Sequence, residues 1–118
     1  MDFPPCPTSP NCVSTEAADS RHAVAPLFLV RDDAWPEIRT LVLGLPRTTL
    51  AEEGENFLHA ECRSALAKFV DDLTVELRVA QGTLALRSAS RTGYYDFGVN
   101  RRRIETLRAA LQARGIVR

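Results

Sequence analysis

The stretch from residue 72 to residue 79 alternates polar and apolar side chains at every position. Successive side chains of a β-strand point to opposite faces of the sheet, so this period of two predicts a strand with one buried face and one polar face. Other elements must therefore cover the apolar side. The apolar positions are Leu73, Val75, Leu77 and Val79, and the polar positions are Asp72, Thr74, Glu76 and Arg78.

Neighbouring segments supply partners for this strand. A turn at Gln81-Gly82 leads into residues 83–91, where Leu84 and Leu86 lie on the apolar side. Upstream, residues 48–52 and 57–63 are separated by a short polar loop and predict a hairpin. Together these segments predict four consecutive antiparallel strands, and the short apolar run at 27–30 is consistent with a fifth.

Two segments carry apolar side chains at helical spacing. In the first, Asp33 is expected to be the N-cap, because a carboxylate there accepts a hydrogen bond from a free helical amide, and Gly44 is expected to end the helix. In the second, Asn100 is expected to be the N-cap and Gly115 the C-terminal stop. The apolar stripes are Trp35, Ile38 and Val42 in the first helix, and Ile104, Leu107, Ala110 and Leu111 in the second.

The order of these elements predicts an α+β fold, with a four- to five-stranded antiparallel sheet and two helices packed on one face. Such an arrangement buries both helical stripes against the apolar side of the sheet. A chain of 118 residues is long enough for one hydrophobic core. We therefore predict a single domain over residues 27–118, after an irregular N-terminal arm over residues 1–26 that contains five of the seven prolines.

Charge and hydropathy argue against several classes of protein. The 15 basic residues equal the 15 acidic ones in number, whereas a dedicated nucleic-acid-binding or anionic-membrane-binding protein carries a net basic surface. A local basic patch is compatible with this balance. We find no apolar run of membrane-spanning length and no signal-peptide pattern at the N-terminus. The chain as given is therefore expected to be cytoplasmic, or exported if an N-terminal segment has been removed.

Sequence motifs for the common cofactor and metal sites are absent. The chain has no Gly-rich phosphate loop, no Gly-x-Ser-x-Gly elbow and no His-Glu-x-x-His sequence. We accordingly expect neither a cofactor nor a metal ion.

Strand alternation gathers charged side chains on the face of the sheet that the helices leave free. One interpretation is a solvated face with cross-strand ion pairs. The other is an arginine-lined site for a carboxylate or another oxyanion, with the small Ala85 and Ala89 leaving a shallow concavity. The residues expected on this face are His59, Glu61, Arg63, Asp72, Arg87 and Arg91.

Three arginines begin the last predicted helix, where each positive charge opposes the helix dipole. Arg101 and Arg102 are expected to pair with Glu105 at helical spacing. Arg103 lies at the edge of the apolar stripe, so its side chain should lie over protein. We expect it to pair with an acidic residue or to bind a ligand, and the candidate partners are Asp71, Asp72 and Asp96.

The cysteines favour a structural interpretation. Cys6 and Cys12 bound a seven-residue loop and are expected to pin the N-terminal arm as a disulfide or as a thiol pair. A redox or metal role is the weaker alternative, since only Cys62, His22 and His59 remain to complete a zinc site. Cys62 itself is expected to be a small buried hydrophobe.

Several blocks of the chain resemble a known family. They are Cys-Pro-Thr-Ser-Pro-Asn-Cys-Val at 6–13, Glu-Cys-Arg-Ser at 61–64, Phe-Val-Asp-Asp at 69–72, Arg-Ser-Ala-Ser-Arg at 87–91 and Gly-Val-Asn-Arg-Arg-Arg-Ile-Glu at 98–105. In these blocks and in their order the chain resembles the family called domain of unknown function 1499, which occurs in bacteria and photosynthetic lineages. Some members carry an export segment. Tyr95 replaces a small hydroxyl residue of the family's usual loop.

The resemblance implies a single compact domain and carries no activity with it. Its polar motif residues correspond to Arg63, Asp71, Asp72, Arg87, Arg91, Asn100 and Arg103.

We hypothesise a non-catalytic binding or interaction module with an arginine-rich site for an anionic small molecule or an acidic peptide. One alternative is an enzyme that uses Asp71, His59 and Arg87 for acid–base chemistry on an anionic substrate. Another is a purely structural ion-pair network, with the function in a partner interface elsewhere on the molecule. The expected ligand residues are Arg63, Arg87, Arg91, Asn100 and Arg103, with Glu61, Asp71, Asp72 and Asp96 as the supporting polar network.

Overall fold

An antiparallel sheet forms the centre of the computed structural model, which describes residues 2–65 and 69–118. Its strand order is β1-β6-β5-β4-β3, and β2 pairs with β6 beside β1. The central position of β5 and β6 explains why their alternation is the clearest in the sequence. The six strands are β1 (Cys12–Ser14), β2 (Leu27–Phe28), β3 (Thr48–Gly54), β4 (Phe57–Arg63), β5 (Val70–Arg78) and β6 (Thr83–Ser90).

Helices α1 (Trp35–Leu43) and α2 (Val99–Ala113) pack on the face of the sheet that carries Leu73 and Val75. Both of these side chains are fully buried, whereas Thr74 between them is not. The predicted α+β fold with both helices on one face is thus confirmed. The sheet has six strands rather than four to five, because the N-terminal segment contributes one that the sequence pattern did not indicate.

The segment predicted as an irregular arm contains β1, which pairs Cys12 with Ala89 and Ser14 with Arg87. Val13 joins the hydrophobic core. A disulfide joins Cys6 to Cys12, whose Cα atoms are 5.7 Å apart. A strand of three residues is too short to show a period, so the edge of β6 determines its conformation rather than any local pattern.

Both predicted N-caps are wrong. Helix α1 has Ala34 at the N-cap, and the Asp33 carboxylate instead accepts a hydrogen bond from Arg31. Helix α2 has Gly98 at the N-cap and contains Asn100, whose side chain is buried. The Asp96 carboxylate accepts hydrogen bonds from the backbone amides of Gly98 and Asn100, so it satisfies the amides that a capping side chain would otherwise bind.

Neither α1 nor α2 is long and apolar enough to cross a membrane, and they are the α-helices of the part of the chain that the structure describes.

Candidate functional site

The helix-free face of the sheet carries an ion-pair cluster centred on Arg91. The register pairs Glu61 with Asp72 across β4 and β5. Arg91 donates from Nη2 to Asp72 Oδ1 at 2.6 Å and to Glu61 Oε2 at 3.0 Å. The His59 ring makes a hydrogen bond with the same carboxylate, and its Nε2 is 2.7 Å from Asp72 Oδ1. Carboxylates therefore occupy Nε and Nη2 of Arg91 and neutralise its charge.

These contacts shift the pKa values of the cluster. For Asp72, burial acts to raise the pKa, but hydrogen bonds from Arg91 and His59 outweigh it and lower the pKa below its ordinary 3.8. The Arg91 hydrogen bond likewise lowers the pKa of Glu61, against a smaller opposing effect of desolvation. Both carboxylates thus stay ionised at lower pH in the folded protein than in the unfolded chain.

Replacing Asp72 with Asn is expected to reduce the slope with which the free energy of unfolding falls as the pH is lowered. The unfolded chain binds a proton at this carboxyl near its ordinary pKa of 3.8, whereas the folded protein resists protonation to lower pH. The stabilisation is therefore present above that pH and is lost as the pH falls through the folded pKa. Urea denaturation between about pH 5 and about pH 3 measures the slope.

Asp32→Asn is the matched control for that experiment, because Asp32 is exposed and makes no ion pair with a described residue. It should keep the wild-type slope. An Asp72→Asn variant with that same slope would contradict the assignment.

Arg87 lies apart from this cluster, although it shares the same face. Its Nη2 donates to the Pro5 carbonyl at 3.2 Å, and its buried Nε has no hydrogen-bond partner among the described residues. Burial lowers the pKa of its guanidinium, with Asp72 acting in the opposite direction. Ala85 and Ala89 are buried, so the expected shallow concavity beside them is closed. N-terminal residues near Pro5 thus lie where a ligand of Arg87 would have to bind.

Arg103 lies on the other, helix-covered side of the sheet. Its Nη2 is 2.8 Å from Asp71 Oδ2, and the two side chains are only 14% and 11% exposed. Its Nη1 donates to Ser88 Oγ at 3.1 Å and to Asn100 Oδ1 at 2.9 Å. Of the three candidate partners in the sequence, Asp71 is the one that pairs with Arg103.

Asn100 is the centre of the same buried network and has no exposed surface. Its Oδ1 also accepts from Ser88 Oγ at 2.7 Å, and its Nδ2 donates to Asp96 Oδ2 at 2.8 Å and to Ser90 Oγ at 2.9 Å. Burial acts to raise the pKa of Asp96, but the hydrogen bonds from Asn100 and Gly98 outweigh it and lower the pKa. The amide group of Asn100 is thus fully used inside the protein.

A cleft of about 380 Å³ opens at the end of the sheet where β3 begins, β4 ends and α2 begins. We call it the arginine cleft. Four arginines line it together with a mainly apolar wall. The arginines are Arg47, Arg63, Arg102 and Arg103, and the wall consists of Leu45, Pro46, Val99 and Thr106.

The arginines of the cleft differ in how far their charge is neutralised. Arg103 pairs with Asp71, and Arg63 donates to Glu61 Oε1 at 3.2 Å. Arg47 Nε donates to the Arg63 carbonyl at 3.0 Å, and Arg102 Nη1 donates to the Phe97 carbonyl at 2.8 Å. Among the described residues, Arg47 and Arg102 have no carboxylate partner. Their charges are available to an anion in the cleft.

Two strained residues flank the arginine cleft. Arg47 has φ 51° and Phe97 has φ 55°, and they are the non-glycine residues with positive φ in the described chain. The left-handed conformation costs about 1–2 kcal/mol for such residues, and strain of this kind concentrates at functional sites. Gly98, which directly follows Phe97, has φ 78°, and a Cβ there would lie 3.1 Å from Arg102 Nη1. Glycine therefore allows Arg102 to approach the loop.

The structure thus divides the ligand residues expected from the sequence. Arg63 and Arg103 meet in the arginine cleft, whereas Arg87 and Arg91 lie on the helix-free face. Sequence reasoning missed Arg47 and Arg102. The hairpin register, which pairs Thr48 with Cys62, was the signal that could have placed Arg47 beside Arg63.

The expected pairing of Arg101 and Arg102 with Glu105 is wrong, because Glu105 binds Arg108. Arg101 instead donates to the carbonyls of Arg21 and Ala23. As for a metal site, residues 2–65 and 69–118 bring together no three His, Cys, Asp or Glu side chains that would hold an ion.

The fold and this site define a small α+β domain with an arginine-lined cleft at one end of its antiparallel sheet. The chain belongs to the family described as protein of unknown function (DUF1499), whose model matches residues 2–111. This agrees with the family that the sequence blocks resemble. No curated protein and no solved structure matches the chain significantly.

Proposed function

We propose that this domain is a non-catalytic binding module that takes an anionic small molecule into the arginine cleft. The observation that carries the proposal is the convergence of four arginines on one cleft of about 380 Å³. That volume lies within the range of small-molecule sites. Two of the arginines, Arg47 and Arg102, lack a carboxylate partner among the described residues.

The chemistry of the cleft favours an oxyanion attached to an apolar group. The planar guanidinium fork binds a carboxylate or a phosphate through two parallel hydrogen bonds. Leu45, Pro46 and Val99 offer the remainder of the ligand an apolar surface. The Asp71 and Glu61 carboxylates keep Arg103 and Arg63 in position, which lowers the entropic cost of binding.

The enzyme alternative has less support. It needs Asp71, His59 and Arg87 in one neighbourhood, but Asp71 pairs with Arg103 on the helix side. His59 binds Asp72 on the opposite face. Arg87 lies under the N-terminal segment.

Pyrophosphate and citrate are expected to raise the melting temperature of the protein in a saturable manner, at ionic strength matched with sodium chloride. A ligand at 100 times its Kd stabilises a protein by about 2.7 kcal/mol, which is a shift of roughly 10 °C for a domain of this size. The double variant Arg47→Gln, Arg102→Gln should lose most of this shift, because it removes the cleft charges that no carboxylate neutralises.

Arg114→Gln is the control, since Arg114 is exposed beyond the opposite end of α2. It should keep the full shift. The proposal is rejected if neither anion gives a saturable shift, or if the double variant responds as the wild type does.

A further inference from the structure

We infer that the anion of the arginine cleft is the headgroup of an anionic phospholipid, and that an exposed aromatic loop beside the cleft enters the membrane surface. This inference rests on the proposed function. We define the aromatic loop by Tyr94, Tyr95 and Phe97, which are 61%, 67% and 80% exposed. Side chains of this kind are normally buried, so their exposure on one short loop indicates an interaction surface.

The aromatic loop and the arginine cleft share one end of the molecule. The loop follows β6, and the Arg91 amide donates to the Val70 carbonyl at the beginning of β5. Val70 in turn pairs with Arg63, which lines the cleft. The hydrogen bond from Arg102 to the Phe97 carbonyl joins the two features directly.

Further apolar surface surrounds the loop. Phe69, immediately before β5, is 56% exposed, and Val99 in the cleft wall is 38% exposed. With the three aromatics of the loop, five of the nine large hydrophobic side chains that are exposed in the described chain lie at this end. The rings of Tyr95 and Phe97 are 5.4 Å apart and form one apolar projection. Phe97 has a positive φ, which restricts the backbone conformation of this part of the loop.

Charge is distributed unevenly between the two ends of the sheet. At the cleft end, internal contacts occupy the carboxylates of Asp71 and Asp96. At the opposite end, the β3–β4 hairpin exposes Glu52 and Glu55. The cleft end of a protein with formal net charge 0 therefore presents a local positive surface. That surface is complementary to an anionic one.

A phospholipid bilayer matches this arrangement better than an acidic protein does. A phospholipid places an anionic headgroup directly beside hydrocarbon, as the surface places Arg102 of the cleft beside the exposed aromatic loop. Tyrosine and other amphipathic aromatics favour the interface between headgroups and acyl chains, and arginine is attracted to anionic lipid. A loop that projects from the surface suits insertion into a bilayer.

Vesicle sedimentation with the full chain tests the inference. We expect binding to vesicles of phosphatidylcholine with about 30% phosphatidylglycerol, little binding to pure phosphatidylcholine, and weaker binding as salt rises. The double variant Tyr95→Ser, Phe97→Asn should weaken the partition about tenfold or more while keeping the thermal shift with pyrophosphate. Asparagine tolerates the positive φ at position 97, so the loop backbone is preserved.

Phe28→Thr is the matched control, because Phe28 is an exposed aromatic in β2, which pairs with the beginning of β6 at the opposite end. It should bind vesicles as the wild type does. The cleft variant Arg47→Gln, Arg102→Gln should lose both vesicle binding and the pyrophosphate shift.

The outcomes separate this inference from the proposed function. A shift in melting temperature with pyrophosphate, without vesicle binding, overturns the assignment of a lipid headgroup and leaves a soluble anion as the ligand. Vesicle binding that survives the cleft variant, with no pyrophosphate shift, overturns the proposed function and, with it, the headgroup assignment. Binding to polyglutamate but not to vesicles, with the same dependence on Tyr95 and Phe97, would identify an acidic protein surface as the partner. It would overturn the inference that the loop enters a membrane.

Discussion

Replacing Arg103 with Met is expected to lower the free energy of unfolding by about 3–5 kcal/mol. The change leaves the largely buried Asp71 carboxylate without its cation and removes donors from Ser88 and Asn100. An unpaired charge that is buried in this way destabilises the folded protein by more than the intact ion pair stabilises it. Urea denaturation near pH 7, without added anions, measures the loss.

Two further variants give this prediction its controls. Arg114→Met makes the same substitution at an exposed position and should change stability by less than about 0.5 kcal/mol. Adding Asp71→Asn to Arg103→Met should recover part of the loss, because the stranded charge is then gone. If Arg103→Met unfolds like the wild type, Arg103 is solvated and the buried pair has no structural role.

Asn100→Ala is expected to destabilise the fold by about 3 kcal/mol or more. The substitution removes the amide that joins Ser88, Ser90 and Asp96 at a position with no exposed surface. Each buried polar group left without a partner costs about 1–3 kcal/mol. The Ser88 hydroxyl loses the acceptor of its hydrogen bond.

Asn56→Ala tests the same substitution on the exposed β3–β4 turn and should change stability by less than about 0.5 kcal/mol. A double-mutant cycle with Ser88→Ala should show strong coupling to Asn100, because the two side chains share a hydrogen bond. Additive effects would mean that the network does not act as a unit.

This network connects stability to the candidate site. Asn100 and Arg103 tie the first turn of α2 to β5 and β6. The same turn carries Val99 and Arg102, which line the arginine cleft. A fully satisfied buried polar network is rigid, so it fixes the position of the cleft arginines before a ligand binds. Partial loss of the network should therefore weaken anion binding even where the protein still folds.

The local sequence pattern was sufficient to predict burial wherever each face of a strand or helix meets a single environment. The alternation around Val75 and the stripe through Leu107 predicted which side chains are buried, because burial follows the period of the element. The same alternation predicted that Glu61, Asp72 and Arg91 share a face, and they form one ion-pair cluster. The sequence thus determined the fold class and the polar side of the sheet.

Helix starts and the short edge strand depended on contacts from outside the element. Asp33 has the chemistry of an N-cap, but its carboxylate binds Arg31. Asn100 likewise has capping chemistry, and the buried hydroxyls of Ser88 and Ser90 engage its side chain instead. Such partners lie outside the helix and compete with its amides for the same side chain. The capping propensity of the local sequence therefore does not reveal them.

Only the tertiary structure decided where the arginines meet. Arg47, Arg63 and Arg102 belong to three segments that are separated in sequence, and the sheet register with the packing of α2 brings them to one cleft. The sequence contained the charges and the aromatic loop, but a pattern within one strand or helix specifies a face and not a neighbour across the fold. Which charge remains without a partner depends on distances of a few ångströms between elements, and those distances arise only when the core packs.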